Sequence, residues 1–449
     1  MQNPAISRRG FLRATVGAGV AAGVGLTAAS AGAAPAGTGG AAGRPNIVLI
    51  MADDLGYECI GADGGTSYKT PVLDAMARRG VRFEHGYAQP LCTPSRAQIM
   101  TGIYNVRNYI RFGILDPGQT TFAHLLKKAG YATCIVGKWQ LEGGFEGPGH
   151  FGFDEYCLWQ LTRRPERYAN PGVEVNGKTA DYTNGEYGPD VVSDYACEFI
   201  QRHRAKPFLV YYPMILTHSP FVATPDSADW GPKGKGVKGA KGGGGHFADM
   251  VAYMDKVIGK ILAKLDALGL RENTLVIFTG DNGTGRGIDS KMGDRDVPGE
   301  KGATTDGGTR VPLIVDWPAK AKGKRVCTDL VDFSDVLPTL CEAAGAAVPA
   351  DLAIDGRSFL PQILGQKGNP REWIYCWYSR EGKSAQAKVF ARNQRYKLYT
   401  SGELYDVPSD PFEKKPLKAD ALDPEAKRVR QMLQGALDRY KDARPTRLG

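Results

Sequence analysis

Two uninterrupted apolar runs, Pro45-Asn46-Ile47-Val48-Leu49-Ile50-Met51-Ala52 and Thr274-Leu275-Val276-Ile277-Phe278-Thr279-Gly280, constrain this chain most. Each runs directly into polar, oxygen-bearing residues: Asp53-Asp54 after the first, Asp281-Asn282 after the second. A strand without polar alternation is covered on both faces, which is the condition of a central strand in a parallel sheet. Open α/β sheets bind ligands at the carboxyl ends of their strands, so both oxygen-bearing pairs are expected at one edge. With 42% hydrophobic residues over 449 positions, the chain has the material for a large core.

The surrounding pattern extends this reading. Thr70-Pro71 opens a helix stopped by Gly80, followed by a strand at 81–87. Helices are expected at 121–129, 190–203, 246–268 and 334–344, alternating with strands at 131–136, 208–214 and 311–317. This alternation predicts an α/β fold, a doubly wound and mostly parallel sheet with helices on both faces. Beyond about residue 365 the texture changes to short strand-like runs at 373–378, 388–392 and 396–400. A helix follows from Asp423-Pro424, with Val429, Met432, Leu433, Ala436, Leu437 and Tyr440 at helical spacing. The expected organisation is a signal segment at 1–34, a catalytic α/β domain at 35–364 and a small C-terminal α+β subdomain with an antiparallel sheet at 365–449.

The N-terminus reads Ser7-Arg8-Arg9-Gly10-Phe11-Leu12-Arg13, then a weakly apolar Gly/Ala-rich run. It resembles a twin-arginine export signal cleaved near Ala33 or Ala34, and implies a periplasmic or secreted protein in transient contact with the translocase. The run from 14 to 29 is short and glycine-rich, a poor membrane span, so no stable membrane insertion is expected. Loss of residues 1–34 removes Arg8, Arg9 and Arg13 and no acid, taking the formal charge from +9 to +6. A basic surface suits an anionic partner, and no RNA- or DNA-binding motif supports nucleic acid. The eight cysteines form no Cys-x-x-Cys pair, which excludes zinc-ribbon and thioredoxin chemistry; few or no disulfides are expected, Cys327–Cys341 being the one pairing to check. The four lysines at 233, 235, 238 and 241 lie in a glycine-rich stretch that reads as a solvated loop or as a basic rim.

Chemistry is concentrated in Cys92-Thr93-Pro94-Ser95-Arg96, followed by Thr101-Gly102. Pro94 suits a first helical position with Thr93 as cap, which places Cys92 just outside the positive end of a helix, beside Arg96. An activated nucleophile is stabilised there, and so is an ordinary buried cysteine. Asp53, Asp54, Asp281 and Asn282 offer only oxygen donors, suited to calcium or magnesium and not to zinc. Each pair alone also reads as a helix cap or turn.

The Cys-x-Pro-Ser-Arg core resembles the signature of the type I sulfatases of the alkaline phosphatase superfamily. The resemblance continues through Gly137-Lys138-Trp139, Leu216-Thr217-His218-Ser219-Pro220, Gly299-Glu300-Lys301-Gly302, Asp306-Gly307-Gly308-Thr309-Arg310, Asp335-Val336-Leu337-Pro338-Thr339 and Asp355-Gly356-Arg357-Ser358, ending at Gly402-Glu403-Leu404-Tyr405-Asp406. It implies that Cys92 is oxidised by a formylglycine-generating enzyme to formylglycine (3-oxoalanine), which becomes the nucleophile and faces the metal. Asp53, Asp54, Asp281 and Asn282 are then ligands of a divalent cation, Ca2+ before Mg2+. Arg96 holds the formylglycine. Lys138, His218 and Lys301 surround the sulfate, and His218 or Lys301 protonates the leaving alcohol. The implied chemistry is loose sulfuryl transfer stabilised by cations, with a gem-diol whose second hydroxyl later expels sulfate. The implied substrate is a sulfated small molecule or glycan.

The chain departs from the family where histidine usually follows Gly-Lys-Trp. Here stands Gln140, which orients a hydroxyl but cannot act as a base. His150, the nearest histidine downstream, is the expected replacement. His85, His124, His203 and His246 are expected in packing, capping or surface roles. The loop 142–188, with Trp159, Arg163, Arg164, Arg167 and Tyr168, is a candidate for substrate selection. Two other functions stay open at this point: a phosphonate or phosphodiester hydrolase, and an inactive glycan-binding protein on the same fold.

Overall fold

A computed structural model describes residues 43–231, 245–321 and 323–448. The export segment and the lysines at 233, 235, 238 and 241 lie outside the described residues. The first strands are β1 (Asn46–Ala52), β2 (Val81–Tyr87), β3 (Ala132–Lys138), β4 (Glu155–Trp159), β5 (Gly172–Val175), β6 (Lys178–Asp181), β7 (Phe208–Pro213) and β8 (Thr274–Gly280). Then follow β9 (Asp289–Met292), β10 (Arg295–Pro298), β11 (Arg310–Asp316), β12 (Arg325–Asp332), β13 (Ile374–Tyr378), β14 (Lys388–Arg392), β15 (Tyr396–Tyr399) and β16 (Leu404–Asp406).

Ten of them form one sheet in the order β12-β2-β11-β8-β1-β7-β3-β4-β5-β6. The five central strands β8-β1-β7-β3-β4 are mutually parallel, and both apolar runs are fully buried in adjacent positions, Asn46 opposite Thr274 through Ala52 opposite Gly280. β11 runs against β8 and β2, so the segment leading into it reaches the same edge as the carboxyl ends of β1 and β8. The sheet is thus mixed but mostly parallel, the α/β architecture expected.

Alternation along the strands divides the core in two. Val48, Ile50, Val210, Tyr212, Val276 and Phe278 face a layer with the helices Pro71–Arg79, Gly188–Arg202 and Phe247–Ala267. Ile47, Leu49, Met51, Leu209, Tyr211 and Ile277 face the helices Cys92–Thr101, Phe122–Lys128 and Val336–Ala344. Gly137 shows why one residue of β3 is fixed: its φ is +109°, and a Cβ there would lie 2.1 Å from the Pro213 carbonyl oxygen.

A separate antiparallel sheet, β13-β14-β15-β16, carries the helix Pro424–Tyr440 on its face. Asp423 caps that helix by accepting from the Ala426 N–H at 2.7 Å, and Val429, Leu433, Ala436, Leu437 and Tyr440 are buried. A buried ion pair, Arg392 with Asp306, and a hydrogen bond from Lys397 to the Thr304 carbonyl fasten this sheet to the segment before β11, while Lys397 also pairs with Glu413 at 2.6 Å. All eight cysteines are free, including Cys327 and Cys341. Among the described residues, no helix is long and apolar enough to cross a membrane.

Candidate active site

Asp53 follows β1, Lys138 ends β3, His218 lies five residues beyond β7 and Asp281 follows β8, so four adjacent parallel strands deliver polar groups to one edge. Asp54 adopts a left-handed conformation (φ +61°), and its N–H donates to Asp281 Oδ1 at 3.0 Å. Asn282 Nδ2 donates to Asp54 Oδ1 at 2.9 Å, which leaves Asn282 Oδ1 buried without a partner. Gly283 permits this loop to press on the segment before β11, since a Cβ there would meet the Gly307 carbonyl oxygen at 1.8 Å.

Three cations neutralise the three carboxylates. Lys138 Nζ donates to Asp53 Oδ1 and Oδ2 at 3.0 and 2.8 Å, and Lys301 Nζ donates to Asp54 Oδ2 at 2.6 Å. Arg96 donates to the Lys138 carbonyl at 2.9 Å and to Asp281 Oδ2 at 3.4 Å, with its Nε buried and unpartnered. Burial pushes Asp53 up, but Lys138, His218 and Arg96 together hold it well below the usual carboxylate range. Asp281 goes the other way: burial, reinforced by repulsion from Asp53, pushes it up to about 7. Burial and Asp53 thus oppose ionisation of Asp281, and a further positive charge at the cluster would favour it.

The oxygen donors fit a hard divalent cation. Asp53, Asp54 and Asp281 converge with an Asn282 oxygen that has no other partner, and a buried polar atom of that kind needs one. His218 is drawn in as well: its Nε2 is 3.7 Å from Asp54 Oδ2, and Asp53, Asp54 and His218 offer ligand atoms within 4.8 Å of one another. Its Nδ1 donates to the Ser219 carbonyl at 2.6 Å, which fixes Nε2 as the working nitrogen. Burial lowers the His218 pKa against the pull of Asp53 and Asp54.

Cys92 is corrected in one respect. The helix spans Cys92–Thr101 with Leu91 as its N-cap, so the cysteine stands in the first turn and not outside it. Ser95 explains the shift: its hydroxyl and its N–H both bond the Leu91 carbonyl, at 2.9 and 3.2 Å. Cys92 is buried, and burial raises its thiol pKa despite Lys138, which works against thiolate activation.

His150 is not brought to the site. It is exposed beside the amino end of β3, donating to the Pro117 carbonyl at 2.8 Å, while Thr133 Oγ1 donates to Gly152 two residues on. Thr133 and Lys138 lie five strand residues apart, about 16 Å. Gln140 is at the correct end, buried, with φ +58° and Oε1 unpartnered. Its N–H donates to the Gln160 carbonyl at 3.3 Å, and Gln160 is also left-handed at +61°.

The segment 142–188, expected as a loop, folds largely into β4, β5 and β6 with their connections; there Arg163 is paired with Asp181, Arg167 lies 4.0 Å over the Trp159 ring, and Arg164 lies beside the Gln160 side-chain amide. Tyr168 donates to the Ile215 carbonyl at 3.1 Å and to that of His218, buttressing the histidine. Sequence reasoning missed Glu58 and Thr284. Thr284 Oγ1 accepts from the Gly56 N–H at 3.0 Å and donates to Glu58 Oε1, while its carbonyl accepts from the Lys301 N–H at 3.0 Å. It braces the loops of Asp54, Asn282 and Lys301, and a lone threonine two residues past Asn282 gives no signal of that in sequence.

Fold and site together define a class: α/β hydrolases that hold an oxyanion ester between a cation site and a ring of basic side chains. Residues 45–346 match the family model described as Sulfatase, and residues 300–443 match the one described as N-sulphoglucosamine sulphohydrolase, C-terminal. Arylsulfatase A of Bos taurus is 33% identical over 422 residues, covering 83% of this chain and 78% of that protein. The N-acetylgalactosamine-6-O-sulfatase of Bacteroides thetaiotaomicron is 29% identical, covering 83% and 89%. The solved structure of Ps i-CgsB superposes with a TM-score of 0.74 at 24% identity, covering 90% and 94%, and shares the fold. The chain belongs to the sulfatase family and is a sulfuric ester hydrolase.

Proposed function

We propose that this chain is an exported sulfatase that hydrolyses a sulfate monoester on a carbohydrate, after conversion of Cys92 to formylglycine and with Ca2+ before Mg2+ as its cation. The carrying observation is the buried, unpartnered Asn282 Oδ1 beside three convergent carboxylates, close to Cys92 and ringed by Lys138, Arg96 and Lys301. The sugar assignment is supported by the Bacteroides relative, named for N-acetylgalactosamine 6-O-sulfate, and by Ps i-CgsB, also solved with k-i-k-neocarrahexaose. The division into a catalytic body to residue 364 and a small unit from 365 belongs to the same proposal.

Asp53, Asp54, Asp281 and Asn282 would hold the cation, which supplies Lewis-acid polarisation of a sulfuryl oxygen. The aldehyde made from Cys92 would supply a hydrated gem-diol as nucleophile. Lys138 and Lys301, already oriented by Asp53 and Asp54, stabilise charge on the peripheral sulfate oxygens without reorganising. His218, with Nδ1–H fixed on Ser219, presents Nε2 to hold or give the proton of the leaving alcohol. Arg96 ties the Cys92 helix to the end of β3 through the Lys138 carbonyl. Gln140 is in place to accept a hydrogen bond through its free Oε1, and takes no proton.

The test compares sulfate release from 4-nitrophenyl sulfate with release from the matched phosphate and phosphonate esters, before and after calcium chelation. Calcium-dependent preference for the sulfate supports the assignment. Preference for a phosphorus ester makes the protein a phosphonate or phosphodiester hydrolase, and binding of a sulfated sugar without turnover makes it an inactive binding protein.

A further inference from the structure

The rim over Cys92 closes through a chain of contacts that crosses from the α/β body to the antiparallel sheet and back. Thr93 Oγ1, next to the cysteine, accepts from the Gly113 N–H at 3.2 Å. The Phe112 N–H, one residue earlier, donates to the Arg380 carbonyl at 3.0 Å, and the Arg380 guanidinium lies over the Phe112 ring at 5.1 Å. Tyr378, at the end of β13, places its hydroxyl 3.9 Å from where a Cβ on Gly302 would stand. Gly302 bonds the Pro90 carbonyl at 2.8 Å and follows Lys301, whose carbonyl accepts from Arg286 Nε at 3.0 Å. The loop therefore runs from Cys92 through Arg380, Tyr378 and Arg286 back to the segment before Cys92.

Two of these side chains are cations with capacity left over. Arg286 is exposed and uses only Nε, so its two terminal nitrogens have no hydrogen-bond partner among the described residues. Arg380 has a side chain 64% exposed, and its one ionic contact is Nε to the exposed Glu381 at 3.6 Å. Such a contact is weak and readily exchanged. Tyr378, two residues before Arg380, approaches Gly302, whose neighbour Lys301 holds Arg286 through its carbonyl. By contrast Arg163, in the loop expected to select substrate, is already committed to Asp181.

We propose that Arg286 and Arg380, on the rim that Tyr378 and Gly302 close over Cys92, form a second anion subsite that selects carbohydrates carrying a carboxylate or a second sulfate beside the sulfate to be removed. The inference rests on the sulfatase reading of the Cys92 site. Each guanidinium offers the planar pair of donors that matches a carboxylate or sulfate face, and the subsite is shared between the body and the antiparallel sheet.

The test measures dissociation constants by calorimetry on the full-length Cys92→Ala protein loaded with calcium, in which nothing turns over. Probes are glucosamine 6-sulfate, glucosamine 2-N,6-O-disulfate and a 6-sulfated glucosamine bearing a neighbouring glucuronate. Expected is about tenfold or greater preference for at least one two-anion probe over the single-anion probe, falling to less than about threefold in Arg286→Ala and in Arg380→Ala. Gain confined to the uronate probe assigns the subsite to a carboxylate, and gain confined to the disulfate assigns it to sulfate. A preference below threefold in the parent, or one that both arginine variants keep, overturns the proposal. Absence of aryl sulfate turnover in the unsubstituted protein overturns the sulfatase reading and leaves this binding ratio readable.

Discussion

Glu58→Gln is expected to make the protein more stable, and the gain should grow with pH. Glu58 is buried at 1% exposure; its Oε1 accepts from Thr284 and its Oε2 has no partner. Burial raises its pKa, the Thr284 hydroxyl opposes, and the net result is a value of about 7 against an ordinary 4.5. The native state therefore holds a proton that the unfolded chain releases, so stability falls as pH rises from about 4.5 to about 7 and stays lowered above that. A shift of that size corresponds to about 3 kcal/mol at pH 8 and to nearly nothing at pH 4.5. Glutamine keeps an oxygen for Thr284 and has nothing to ionise. In a chain of this length 3 kcal/mol is a Tm rise of ~3 °C. Paired thermal scans of both proteins at pH 5 and pH 8, at one calcium concentration, read it directly. An equal Tm difference at the two pH values, or a lower Tm for Glu58→Gln at pH 8, would refute the reasoning.

Other outcomes follow from the same geometry. Asn282→Leu removes the free Oδ1 and the donor to Asp54, so calcium titration of the metal-free protein should show affinity reduced by about tenfold or more, and unchanged affinity would remove Asn282 from the ligand set. His150→Ala should keep full steady-state turnover, because His150 sits at the far end of β3; a build-up of sulfated enzyme would show that it reaches the site after all. Arg392→Met strands the buried Asp306 carboxylate beneath the antiparallel sheet, at a cost of about 3–5 kcal/mol read as a lowered denaturation midpoint. A midpoint within error of the parent would mean that this ion pair does not fasten the sheet.

What the sequence made legible is what burial writes into residue order. The runs of β1 and β8 have no polar alternation because helices cover both faces, and Asp53 and Asp281 emerge together because the strands are parallel neighbours. Helix ends carried by Pro71, Gly80 and Asp423 are set by local backbone chemistry and sit where expected. Less visible were β5, β6, β9 and β10, four-residue strands too short to show a period; β6, β9 and β10 are mostly solvent-facing, and β5 is buried but breaks its apolar run with Glu174. The start of the Cys92 helix was misplaced because Leu91 caps it with a backbone carbonyl that Ser95 secures, which outweighed the preference of Pro94 for a first position. His150 failed because nearness in sequence to Gln140 is lost where the chain returns to the amino end of the sheet to start β4. The Thr284 brace and the Arg286–Arg380 rim join segments that only the fold brings together.

The central claim is that Cys92 becomes the nucleophile of a sulfate ester hydrolase, and the mass of one peptide tests it. Residues 83–96, cut from the protein of its native host and treated with an aldehyde-trapping reagent, should show the Cys92 sulfur and two hydrogens replaced by one oxygen, and a trapped carbonyl. A peptide carrying only the thiol, from protein that nevertheless releases sulfate, would contradict the account.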